Sequence, residues 1–173
     1  MFPGLKAIFF GLPVSYETPI PSDIALEKIA SSLNGGVFSL FARMGNEGVF
    51  GEVEGTRIIL DWNIPFFGNP LKPTYYGQFC TTDTRTILEG KYTVYFFNRV
   101  FALVWLIGVV ALAITPLILN VSGAFPFILF CIGFFVFGIV GDEFSWWLSR
   151  KDIGRIENFI ITTLDAKRID NRA

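Results

Sequence analysis

The chain has 173 residues, 52% of them hydrophobic, with 14 basic and 15 acidic side chains and a formal net charge of -1. A pI near 5.4 leaves no clustered basic field to neutralise phosphates, so nucleic acid is not an expected partner. The absence of histidine removes the commonest general acid/base and the commonest transition-metal ligand. Two cysteines far apart in the chain, Cys80 and Cys131, suggest neither a disulfide framework nor a thiolate metal site. No metal or cofactor is expected.

The hydrophobic surplus is not spread evenly. Residues 100–140 carry no charge at all, whereas the first ninety residues mix charged and apolar groups as a water-soluble fold does. At the N-terminus Lys6 precedes a short apolar run that Gly11 and Pro13 interrupt. The run lacks a cleavage-site pattern, so it reads as an opening strand and not as a signal peptide. Segment 21–36 carries helix signals: Ser22 as N-cap, Asp23 in the first turn, Gly35 as a left-handed cap, and an apolar stripe of Leu26, Ile29, Ala30 and Leu33.

From residue 37 to 97 the period changes to two. Phe38, Leu40, Ala42 and Met44 share one side of an expected strand that turns at 45–48; residues 49–54 form the next, ended by Gly55. On the third, Ile58, Leu60 and Trp62 face inward while Arg57 and Asp61 face out. Tyr75, Gly77 and Phe79 mark a fourth strand. On a fifth, Leu88, Tyr92, Val94 and Phe96 alternate with polar residues, which makes an antiparallel meander. Between the third and fourth strands, 64–73 holds three prolines and the pair Phe66 and Phe67. These aromatics cap the sheet, dip into a nearby bilayer surface, or form a ligand-binding lip.

The first apolar span, 100–121, is about 22 residues long and at ~1.5 Å per residue covers the ~30 Å of bilayer hydrocarbon. The second, 124–141, is rich in phenylalanine. The short connection makes the two spans antiparallel neighbours. Lys91 and Arg99 precede the hairpin, Arg150, Lys151 and Arg155 follow it, and the intervening loop has no positive charge. The positive-inside rule then puts both termini in the cytoplasm. Trp146 and Trp147 suit an aromatic belt, and Arg99 could meet Asp142 and Glu143 at one depth, or all three could sit among headgroups and water. From Asp152 onward an amphipathic helix is expected, with Ile153, Ile156, Ile160, Leu164 and Ile169 on one face.

The expected fold is therefore an α+β membrane protein: an antiparallel β-meander domain with one short helix (1–97), a two-helix transmembrane hairpin (98–148) and a C-terminal amphipathic helix (149–173). Glu52, Glu54 and Asp61 read as a solvated acidic face. No nucleophile has a visible base partner and no phosphate-cradling loop follows a strand, so an enzyme is not expected. Asn69-Pro-Leu-Lys-Pro73, Tyr76-Gly77, Phe79, Thr86-Ile-Leu-Glu-Gly-Lys-Tyr92, Phe101 and Trp105 together resemble a pattern in uncharacterised bacterial two-transmembrane-helix proteins with a small juxtamembrane β-domain. That resemblance implies an architecture and no catalytic residues.

Two functions are then open. One is a membrane-anchored protein-interaction module at the bacterial inner membrane, either an accessory subunit of an envelope complex or an immunity protein that neutralises a toxin. Its partners would be the lipid bilayer and a protein or second copy, with Phe66, Phe67, Tyr75 and Tyr76 as contact candidates. The other is a lipid-binding or lipid-modifying protein that uses the Pro-rich loop and the sheet as a pocket.

Overall fold

The computed structural model describes residues 10–36, 40–65, 72–82, 85–119, 123 and 125–169. Period-two alternation yields strands β1 (Leu12–Thr18), β2 (Gly48–Glu54), β3 (Arg57–Asn63), β4 (Pro73–Thr82) and β5 (Arg85–Val94). With β6 (Lys167–Ile169) they form one antiparallel sheet in the order β2-β3-β4-β5-β1-β6. The expected meander is its centre. β1 closes it beside β5, and three residues at the C-terminal end supply the last strand.

Helix α1 (Ser22–Ser32) begins one residue earlier than expected. Pro21 is the N-cap, its carbonyl accepting the Ala25 N–H at 2.9 Å. The Ser22 hydroxyl accepts instead from the Thr81 hydroxyl. Its last residues also differ from expectation. Leu33 is the C-cap in an extended conformation, and Gly35, at φ +152°, accepts a hydrogen bond from the Gly51 N–H while Asn34 N–H donates to the Val49 carbonyl. This loop thus pairs with the outer side of β2 and satisfies edge groups that would otherwise stay open. Ala25 and Ile29 are buried and Leu26 and Leu33 partly so, whereas Ala30 faces solvent and Ala25 takes its place on the buried stripe.

The expected strand through Phe38, Leu40, Ala42 and Met44 is absent where the structure is described. Residues Leu40–Gly45 form a short helix, α2, and 37–39 lie outside the described residues. Tertiary contacts override the local alternation. The Asn63 amide donates to the carbonyls of Arg43 (2.6 Å) and Asn46 (2.8 Å), and the Arg43 guanidinium grips Asp61. Phe96 also departs from its expected place as the end of β5, since it opens the next helix and is exposed.

Two helices follow that are long and apolar enough to cross a membrane: α3 (Phe96–Ile118) and α4 (Phe125–Leu164). They pack side by side. Trp105 of α3 lies 5.3 Å from the Phe134 ring and covers Gly138, where a Cβ would collide with its indole. The second apolar segment and the amphipathic segment form one unbroken helix of 40 residues. It ends at Leu164, where Asp165 adopts a left-handed φ of +49° and turns the chain into β6, so Ile169 belongs to a strand.

One face of the sheet carries the core. Ile58, Leu60, Tyr75, Leu88 and Tyr92 meet Ala25 and Ile29 of α1 and Ile156, Ile160 and Leu164 of α4. At its centre Tyr75 leans over two glycines that pair directly across β4 and β5, Gly77 and Gly90. A Cβ on Gly90 would stand 2.6 Å from the Tyr75 ring and 2.5 Å from the Tyr76 carbonyl. Gly90→Val is therefore expected to cost about 1–3 kcal/mol through overpacking. Gly36→Ala, with open space around it, should stay within about 0.5 kcal/mol. Urea midpoints of the full chain in detergent would compare them.

The same core holds three tyrosine hydroxyls. Those of Tyr16 and Tyr92 bond each other at 3.0 Å, and that of Tyr75 has no partner among the described residues. Burial pushes the Tyr16 phenol up to about 12, more than the Tyr92 hydrogen bond lowers it, and burial raises Tyr75 and Tyr92 further. A phenol whose folded pKa exceeds its unfolded value keeps its proton longer in the native state. Stability is then full below about pH 10 and falls between pH 10 and 12, by on the order of 1.4 kcal/mol per pH unit for each such group. Tyrosinate absorbance should show three of the five tyrosines ionising only as the sheet unfolds.

Candidate partner-binding face

The opposite face of the sheet is covered by neither α1 nor α4. It carries a groove of about 800 Å³. Its floor is apolar: Ile59 and Tyr76 stand opposite each other across β3 and β4. Its sides alternate in charge. Arg57 pairs in register with Glu54 and with Gln78, Gln78 with Glu89, and Tyr76 with Lys91. Such a surface, apolar at the bottom and mixed in charge along the rims, suits an extended polypeptide that must satisfy backbone and side-chain polarity together. Glu52 and Glu54 line this groove as well.

On the covered face aromatic rings pack together. Tyr75 packs against Tyr16 (6.0 Å) and Tyr92 (5.1 Å) and is fully buried, so of the contact candidates it is a core residue that a partner cannot reach in the folded sheet. Tyr76 is half-buried in the groove. Burial, followed by the charges of Tyr95 and Asp61, raises its phenol pKa, while Arg99 opposes them. The structure thereby brings Tyr76 and Arg99 into one electrostatic neighbourhood. Phe66 and Phe67 lie outside the described residues. Asp142 and Glu143 are half-buried on α4, Trp146 is buried, and its neighbour Trp147 is exposed and stacks on Phe144 at 6.0 Å.

Asp61 departs most from its expected place. It points away from Ile58 and Leu60, as alternation requires, yet it is only 4% exposed. Arg43 holds both its oxygens, at 2.8 and 3.0 Å, and the Lys72 ammonium adds a third bond at 2.9 Å. Lys72 also donates to the Trp62 carbonyl. Beside this group Arg155 of α4 stacks over the Trp62 ring at 4.9 Å and reaches Glu47 (3.4 Å) and Asp152 (3.5 Å). Burial raises the Asp152 carboxyl pKa, with Arg155 and Lys72 pulling the other way and Glu47 and Asp61 reinforcing the rise. These charges fasten α2 and α4 to one end of β3.

The sequence does not bring Ile59, Arg57, Gln78, Glu89 and Lys91 together as one surface: Arg57 stands out only as an outward residue of the third strand and Lys91 only as a charge before the hairpin. Their signal is the other half of each strand's alternation, which marks a ligand surface only once it is known that the helices cover the first half. Comparison of the chain with protein families, with curated proteins and with solved structures finds no match in any of the three. Sheet and apolar hairpin therefore stand on their own geometry.

Proposed function

We propose that the chain is a membrane-anchored protein-interaction module. In this reading α3 and the first part of α4 cross the bacterial inner membrane, both termini are cytoplasmic, and the open face of the sheet receives a protein partner. The observation that carries it is the asymmetry of the sheet: one face is filled by its own side chains, while the other keeps an amphipathic groove. The positive charges flanking the hairpin, Lys91 and Arg99 before it and Arg150, Lys151 and Arg155 after it, support the orientation. Such a module serves as an accessory subunit of an envelope complex or as an immunity protein against a toxin. For the lipid-binding alternative, the charged rims of this groove are poor company for an acyl chain.

A photocrosslinker placed at Gln78, in the groove, and at Glu27, exposed on α1, would test this in cells. A discrete protein adduct at Gln78 and none at Glu27 is the expected result. Lipid adducts alone at Gln78 would favour the alternative, and the absence of any adduct there would sink the groove as a binding surface. Reporter fusions at the C-terminus and in the 120–123 connection would test the topology.

A further inference from the structure

The strand ends nearest the apolar hairpin form a continuous rim, from the Gly48–Asn63 pair through Pro73–Val94 to Leu12–Tyr92. Helix α3 leaves from this rim, since Phe96 follows Val94 by two residues. Helix α2 is fastened to the same rim through Asn63 and Asp61, with the Arg43 guanidinium lying 4.9 Å over the Phe50 ring. Because Arg43 turns toward the sheet, Phe41 and Met44, three residues apart on one helix face, turn away from it. Phe41 is 91% exposed and Met44 56%.

Two large apolar side chains on a six-residue helix, latched in place by a buried ion pair, are a costly arrangement for a surface that meets only water. Other exposed aromatics share that end of the sheet: Phe10 just before β1, and Phe96 and Phe97 at the start of α3, the latter two in edge contact at 5.9 Å. Interfacial lipid suits this chemistry, because aromatic and thioether side chains settle between headgroups and acyl chains. Continuity with the hairpin points the same way, since a bilayer that receives α3 must pass across the rim from which α3 departs.

We infer that α2 is an interfacial anchor, with Phe41 and Met44 inserted into the acyl–headgroup boundary so that the sheet is held flush against the bilayer and not dangling from its hairpin. This rests on the membrane reading proposed above. It adds a fixed orientation: the rim faces the lipid and the groove opens sideways along the membrane surface.

The test uses the full chain with Cys80→Ser and Cys131→Ala, in nanodiscs of phosphatidylethanolamine and phosphatidylglycerol. Nitroxides are attached singly at Phe41→Cys, Met44→Cys, Ser31→Cys on the exposed side of α1, and Val110→Cys within α3, with circular dichroism confirming the fold. The ratio of oxygen to nickel-chelate collisions should be at least several-fold higher at 41 and 44 than at 31, and higher still at 110. Labels at 41 and 44 that behave like 31 while 110 remains lipid-like would overturn the anchor and leave the membrane reading intact. A label at 110 as exposed to nickel as that at 31 would overturn both.

Discussion

Asp61→Asn is expected to lower the folding free energy by about 3–5 kcal/mol, the usual cost of removing one partner from a buried ion pair. Arg43 and Lys72 would lose their shared anion while remaining largely covered, with side chains 14% and 24% exposed. The matching change 91 residues later should behave oppositely. Asp152 carries a carboxyl pKa raised chiefly by burial, so the unfolded state gives up its proton first and the charge is a burden at neutral pH. Asp152→Asn should thus be neutral or mildly stabilising. Urea titrations of the two variants in a mild detergent, followed by near-ultraviolet circular dichroism, would separate them. Equal losses would mean that both carboxylates serve the network alike.

The double replacement Ile156→Ala with Ile160→Ala should do more damage. Each isoleucine is fully buried beneath the sheet, and large-to-small changes at such sites cost about 2–5 kcal/mol apiece. Even with some coupling between residues one turn apart, the sum approaches the roughly 5–15 kcal/mol that holds a domain together. The expected outcome is a sheet opened to protease while the apolar hairpin stays protected in detergent. A digestion pattern like that of the parent chain would show that α1 alone suffices to cover the sheet.

Much of this architecture could be read from residue order. Alternation through Ile58, Leu60, Tyr75, Phe79 and Leu88 places the strands because one face of each is buried, and the uncharged block after residue 99 announces the two apolar helices by length alone. The parts that could not be read depend on contacts between distant residues. Helix α2 is held by Asn63 and Asp61, 17 to 20 residues further along; Leu40, Ala42, Arg43 and Met44 are good helix formers, but six residues are too few for that preference to stand out against the alternation. Asp61 looks like an ordinary outward acid until Arg43 arrives from α2 and Lys72 from the segment just before β4. Strand β6 is too short to carry a period and forms only because β1 offers a free edge. The groove has the same character, being defined by which face the helices leave bare.

A single rod of 40 residues, about 60 Å long at ~1.5 Å per residue, belongs at one end to the apolar pair and at the other to the core of the sheet. No jointed linker intervenes, so the two ends share one axial phase. Lengthening the rod by one residue between Gly141 and Asp152 is expected to turn its sheet-bound end by about 100° and shift it ~1.5 Å relative to the apolar end. The length of that short stretch is thus a setting of direction as much as of distance.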